Sequence, residues 1–180
     1  MLRFIHALVA GLVGAGIVHI AIVLLLPHFS ERDAWSRLAM AADLYRMVRI
    51  DAQAGQAPIV NSVDPLFYAA ACRFDLGEGI VHIRSPGKAP FWSVSVYDRG
   101  GQNIYSFNDR TAETGVLDFV ILTRPQTIEL RKDLPEDLVG SIFVETILGE
   151  GMVVIRSFVP DRSFGPTVAG FLDAAACTKR

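Results

Sequence analysis

Twenty-three consecutive residues, Phe4 to Leu26, carry no charge. As a helix rising about 1.5 Å per residue they extend roughly 34 Å, against about 30 Å for the hydrocarbon core of a bilayer. A run this long and even reads as a membrane span (residues 4–26, in contact with lipid) and not as a core helix. The other reading is a secretory signal peptide, which needs a shorter apolar core followed by a small-x-small cleavage site. The run ends instead in Ile22-Val23-Leu24-Leu25-Leu26-Pro27, so an uncleaved anchor is expected. Arg3 precedes the span, and Arg32 and Arg37 follow it beside Glu31 and Asp33, so flanking positive charge decides little. The short head before Arg3 favours an N-terminus kept inside, with the rest of the chain translocated.

Within the span, Ala7, Gly11, Ala15 and His19 recur every four residues. On a helix they form one slowly drifting stripe. The first three are small enough to let a second backbone approach, and His19 would gain a hydrogen-bond partner there. Transmembrane self-association or pairing with a different span is therefore expected, against the alternative of a lone span that tolerates a neutral imidazole.

The rest of the chain is long enough for one domain. Removing the first 26 residues removes only Arg3 from the charge balance, leaving 16 basic against 19 acidic side chains. No basic field exists to attract nucleic acid. Apolar residues make up 51% of the sequence, which excludes a disordered chain. Pro27 is expected to break the membrane helix. Ser30 then reads as an N-cap, with Asp33 three residues on, for an amphipathic helix to about Arg49 carrying Trp35, Leu38, Ala42 and Tyr45 on one face. Asp51 to Asp64, with Gly55 and Pro58, reads as a loop. Residues 27–63 are thus a helix and loop, and 64–180 a β-rich domain.

From Phe67 the period shortens. Strands are expected over Cys72–Leu76, Ile80–Arg84, Phe91–Asp98, Asn103–Asn108, Leu117–Thr123, Thr127–Arg131, Ile142–Leu148 and Met152–Val159. Gly77-Glu78-Gly79, Ser85-Pro86-Gly87-Lys88, Arg99-Gly100-Gly101 and Gly149-Glu150-Gly151 read as hairpin links. A final helix opens at Gly165-Pro166 and ends near Cys177. The expected fold is α+β, mostly antiparallel, sandwich or jelly-roll-like, with a helix at each end and the transmembrane helix before it.

Cys72 and Cys177 are the two cysteines, each after three alanines. In an oxidising compartment an even pair suggests a disulfide; otherwise they are two buried free thiols. No cysteine or histidine spacing resembles a metal site, and no motif calls for a cofactor. His82 is the one histidine of the β domain. It reads as an ordinary strand residue, or else as a general base with Asp98 or Asp109 in a hydrolase of envelope polymers. A triad of His82 with Ser93 or Ser95 has no spacing to recommend it. There is no nucleophile elbow, phosphate loop or HExxH motif.

The densest aromatic stretch is Phe91 to Phe107. Alternation sets Trp92, Val94 and Val96 on one face of a strand, and Phe91, Ser93, Ser95 and Tyr97 on the other. The second stripe reads as a ligand-binding surface, with Asp109 and Arg110 supplying charge at the end of the next strand, unless burial claims it.

Asp64-Pro65-Leu66-Phe67-Tyr68, Cys72-Arg73-Phe74-Asp75-Leu76, Phe91-Trp92-Ser93-Val94-Ser95-Val96-Tyr97-Asp98, Asn108-Asp109-Arg110 and Val154-Ile155-Arg156-Ser157-Phe158-Val159-Pro160 together resemble the bacterial domain-of-unknown-function family 1254 and its sister family 1214. The resemblance spans Asp64 to Pro160. It implies a β-sandwich, a bacterial inner-membrane anchor with the domain facing the periplasm, and a sister-family protein as partner. It brings no catalytic residues. The expectation is a domain that binds a partner protein or an envelope ligand.

Overall fold

The computed structural model describes residues 2–51, 59, 64, 66–112 and 114–180, and for residues 26–33 the backbone course alone. The expected loop at Asp51–Asp64 lies mostly outside the described residues. The chain opens with one 40-residue helix, α1 (Leu2–Ala41). Leu2–Leu25 has a mean hydropathy of 2.6, is long and apolar enough to cross a membrane, and has none of its surface buried against the rest of the chain. Ala7, Gly11, Ala15 and His19 all lie in this exposed stretch.

The break expected at Pro27 does not occur, and Ser30 is an interior residue, not an N-cap. A proline removes one backbone hydrogen bond, but a helix already propagating on both sides need not nucleate again. The helix ends at Ala41, short of the expected Arg49. Tyr45 then reverses the chain in the left-handed region, with φ of 61°. It is held there by two bonds to the strand Phe67–Asp75, its N–H to the carbonyl of Arg73 and its hydroxyl to that of Asp75.

Two sheets follow. The first orders β1 (Val48–Arg49), β2 (Phe67–Asp75), β8 (Glu150–Phe158), β4 (Trp92–Asp98) and β5 (Asn103–Asn108), antiparallel throughout. The second orders β7 (Ile142–Thr146), β6 (Leu117–Thr123), β3 (Val81–Ser85) and β9 (Ala176–Lys179), with β6–β7 its one parallel pair. The fold is α+β, sandwich-like and mostly antiparallel. Val48 and Arg49, expected at the end of the amphipathic helix, instead pair with β2 and form part of the first sheet.

Of the four glycine-bearing links, Arg99-Gly100-Gly101 alone makes a hairpin, joining β4 to β5. The other three carry the chain from one sheet to the other, which the same residue types permit. The strand expected at Thr127–Arg131 is helix α2 (Arg124–Leu130), with Pro125 near its start and Gln126 closing a capping box on Thr123. Helix α3 (Gly165–Asp173) stops before Cys177, which sits on β9.

The core lies between the sheets. Phe74, Ile83, Trp92, Phe119, Ile121 and Ile155 are fully buried, and α3 adds Val168, Phe171 and Leu172. Each β4 residue that alternation assigns inward is fully buried. Gly151 has to be glycine: a Cβ there would stand 2.6 Å from both the Phe74 ring and the carbonyl of Tyr97. Cys72 on β2 and Cys177 on β9 form a disulfide with Cα atoms 6.6 Å apart, so one covalent bond ties the two sheets.

Candidate functional site

The outward face of β4 is where the sequence places ligand-binding residues. Ser93 and Ser95 are half-buried, and Ser95 faces Ser106 across the ladder with hydroxyls 3.0 Å apart. Asn103 donates to Ser106 at 2.8 Å, and exposed Arg156 faces Ser93 from the other side. This is a polar patch of hydroxyl, amide and guanidinium groups.

The four predicted residues do not converge on it. Tyr97 packs into a small cluster with Trp35, Leu38, Ala71 and Met152, where the end of α1 meets the sheet. Phe91 lies just before the opposite end of β4, about 20 Å away at roughly 3.3 Å per residue. Asp109 and Arg110 follow Asn108, which pairs with Ser93, and so lie toward the Phe91 end. They form no ion pair with each other among the described residues. Asn108 Oδ1 instead accepts the Arg110 N–H at 3.1 Å, a turn clamp, while the buried Asp109 Oδ1 has no hydrogen-bond partner there.

Sequence reasoning missed how α1 grips the sheet. The Trp35 ring meets two guanidinium groups, Arg73 at 5.0 Å and Arg99 at 5.5 Å. Arg73 also donates to the carbonyl of Ala42 at 2.9 Å. The cue was present in the apolar face of residues 35–45, but which sheet face it would meet depends on pairing.

His82 lies on the far face of the second sheet and is 3% exposed. Its Nε2 is 2.9 Å from Asp118 Oδ1, and the same oxygen accepts the Ser141 hydroxyl at 2.6 Å. Asp98 and Asp109, the partners expected from sequence, belong to the other sheet or its end. Ser93 and Ser95 are likewise on the first sheet and away from His82. A nucleophile triad needs the imidazole between hydroxyl and carboxylate. Here the carboxylate stands between them, so the ring cannot take the Ser141 proton. The arrangement locks β3, β6 and the start of β7 together.

Beside it is a groove of about 520 Å³ with an apolar floor of Ile80, Leu130 and Leu138. Asp133 and Arg180 stand on its rim. Arg180 is paired with Asp137 and holds that carboxyl below its usual range. Across the molecule Arg49 forks onto Asp51 at 2.6 and 2.7 Å and reaches Asp173 on α3. Burial alone would lower the Arg49 pKa, but the two carboxylates override it and raise it. No group of three metal-ligating side chains occurs among the described residues.

No family model matches the chain, and no curated protein matches its sequence. Its fold is similar to the VPA0106 protein from Vibrio parahaemolyticus, with a TM-score of 0.60 at 11% identity over 84% of this chain and 35% of that one. An uncharacterized protein from Burkholderia cenocepacia aligns with a TM-score of 0.47 at 12% identity, over 73% of this chain and 37% of that one. The chain thus spans about a third of the length of either protein.

Proposed function

We propose that this is a single-pass inner-membrane protein whose β-sandwich stands in the periplasm and binds a partner protein there. The observation that carries the reading is the course of α1. One unbroken helix leaves the apolar stretch and ends against the first sheet, through Trp35 and Leu38. Such a mount holds the sandwich in a fixed pose beside the bilayer, which suits presenting a surface to a neighbour.

The Cys72–Cys177 disulfide supports an oxidising compartment. The likeness to a stretch covering 35% of a longer chain supports a partner that supplies further domains, and the family resemblance makes a sister-family protein the first candidate. The side of the sandwich bounded by β5 and β7 suits docking, with Ile104, Tyr105 and Phe143 each at least 40% exposed.

Alkaline phosphatase fused after Arg49 tests the topology. Activity is expected; an inactive enzyme there, with an active cytoplasmic reporter at the same point, overturns it. Affinity capture from detergent-solubilised envelope, read by mass spectrometry, tests the partner. A protein retained by wild type and lost from a double Ile104→Lys, Phe143→Asp variant supports the reading, and equal recovery from both refutes it.

A further inference from the structure

The end of α1 packs on one part of the outer face of the first sheet, over Ala71, Tyr97 and Met152. Toward the Phe67 end of β2 the side chains of this face keep solvent exposure. Register sets Ala69, Arg156, Ser93 and Asn108 side by side across β2, β8, β4 and β5. Their neighbours Ala70, Ile155, Trp92, Val94 and Phe107 are buried in the sandwich, so all four side chains point outward. Two residues further along the strands stands a second row, Phe67 beside Phe158, with ring centroids 5.4 Å apart and both rings half-buried.

Three groups of the first row have no partner among the described residues: the exposed Arg156 guanidinium, the Ser93 hydroxyl and the Asn108 amide nitrogen. Asn108 spends its Oδ1 on the Arg110 N–H, which leaves its NH2 group as a donor. Neighbouring strands are about 4.8 Å apart, so the three donors form a line roughly 10 Å long. Arg156 carries the one formal charge of the two rows.

We propose that this face binds an acidic glycan, a chain of sugars bearing carboxylates, with one carboxylate on Arg156 and a sugar ring against Phe158 and Phe67. A planar guanidinium meets a carboxylate with two parallel bonds, and Ser93 and Asn108 donate to hydroxyls of the adjoining sugar. One guanidinium matches one negative charge, whereas a phosphomonoester carries nearly two. A pyranose is polar at its edge and apolar on its C–H faces, which suits a phenyl ring about 6.6 Å along β8 from a row of donors. A peptide is matched less well. β8 and β4 are interior strands with backbone groups taken on both sides, so an extended chain finds no backbone there to pair with. The inference is independent of the partner-binding reading, which uses the β5–β7 side.

The test uses full-length protein in detergent and titration calorimetry with short galacturonate oligomers, their methyl esters serving as uncharged counterparts. The acid form is expected to bind, with affinity about tenfold or more lower for the ester, and lower by a similar factor in Arg156→Gln. Arg84→Gln, which removes an exposed arginine from the opposite sheet, should leave affinity unchanged. Both variants should melt within about 2 °C of wild type, because both side chains are exposed. Equal binding of acid and ester overturns the inference, as does an equal loss in Arg84→Gln, an affinity indifferent to Arg156→Gln, or no heat at millimolar oligomer. A polyglutamate peptide that depends on Arg156 and binds more tightly than the oligomer assigns the face to a protein and overturns it too. None of these outcomes touches docking through Ile104 and Phe143, so the two readings fail separately.

Discussion

The two long sides of the sandwich are built on different terms. On the side of β2 and β9, the sheets are closed by a covalent bond between Cys72 and Cys177, by α3 with its buried Phe171, and by Arg49 bridging Asp51 and Asp173. On the side of β5 and β7, no such bond closes the sheets among the described residues; packing spans the gap, with Trp92 meeting Phe107 edge-on within the first sheet and Phe107 meeting Phe119 of the second likewise. Beyond them Tyr105 and Phe143 stay exposed. The closed side holds the fold; the open side has surface to spare. Stability is thus concentrated on one side, while the partner binding proposed above falls on the other, and substitutions should divide accordingly.

The largest effect is expected from removing the disulfide. The two cysteines are 105 residues apart, and closing a loop of that size is worth about 4–5 kcal/mol in the chain-entropy model. Cys72→Ala with Cys177→Ala should lower the melting temperature of detergent-purified protein by roughly 10–20 °C, read by circular dichroism. A shift of only a few degrees would mean that the closed side is held mainly by packing.

Next comes Phe171→Ala. The ring is 2% exposed in the main core, so its loss should cost about 3–4 kcal/mol by denaturant titration. The matching change on the open side, Phe143→Ala, should cost under about 1 kcal/mol because that ring is 40% exposed. Equal costs would erase the distinction between the sides.

The smallest effect is electrostatic and sits at one end of the closed side. Lys179 and the Tyr45 hydroxyl both bond Glu78 and hold its carboxyl below the ordinary value of 4.5. A depressed carboxyl contributes above its unfolded pKa and loses that contribution as pH falls through the folded one. Protection of the β9 amides should therefore weaken below about pH 4 in wild type. It should not weaken further in Glu78→Gln. Burial and the Glu78 bond push Tyr45 the other way, up to about 12. Its share is complete below pH 10 and fades toward pH 12, which ultraviolet titration of the phenol can follow.

What the sequence made legible was local. The alternation of Trp92, Val94 and Val96 gave both the strand and its buried face, and the uncharged run gave the long apolar helix. The cysteine pair was readable because an even count has few arrangements. What stayed hidden depended on pairing between distant segments. A glycine-bearing link looks the same whether it closes a hairpin or crosses between sheets, so three of four were misread. Thr127 to Leu130 has strand-like composition, and the capping residue Gln126 and Pro125 outweigh it. β9 was taken for the end of α3 because Ala174 and Ala175 suit either. The Asp118 partner of His82 sits on β6, 36 residues on, and no spacing rule reaches it.

The position of β8 sets an order of events in time. It lies between β2 and β4, and its first-sheet partners precede it by as much as the 91 residues between Phe67 and Phe158. Until β8 has emerged, β2 has no neighbour on that side and β4 has only β5. The second sheet likewise waits for β9 before Cys72 can find Cys177. A chain delivered from its N-terminus therefore holds its first sheet in two separate pairs, β1–β2 and β4–β5, until nearly the whole domain has been made, and such unfinished intermediates aggregate readily. With α1 in a bilayer, as proposed above, tethering would keep each unfinished chain in place and apart from its neighbours during that wait. The helix that mounts the finished domain would then also act earlier, as a leash on the unfinished one.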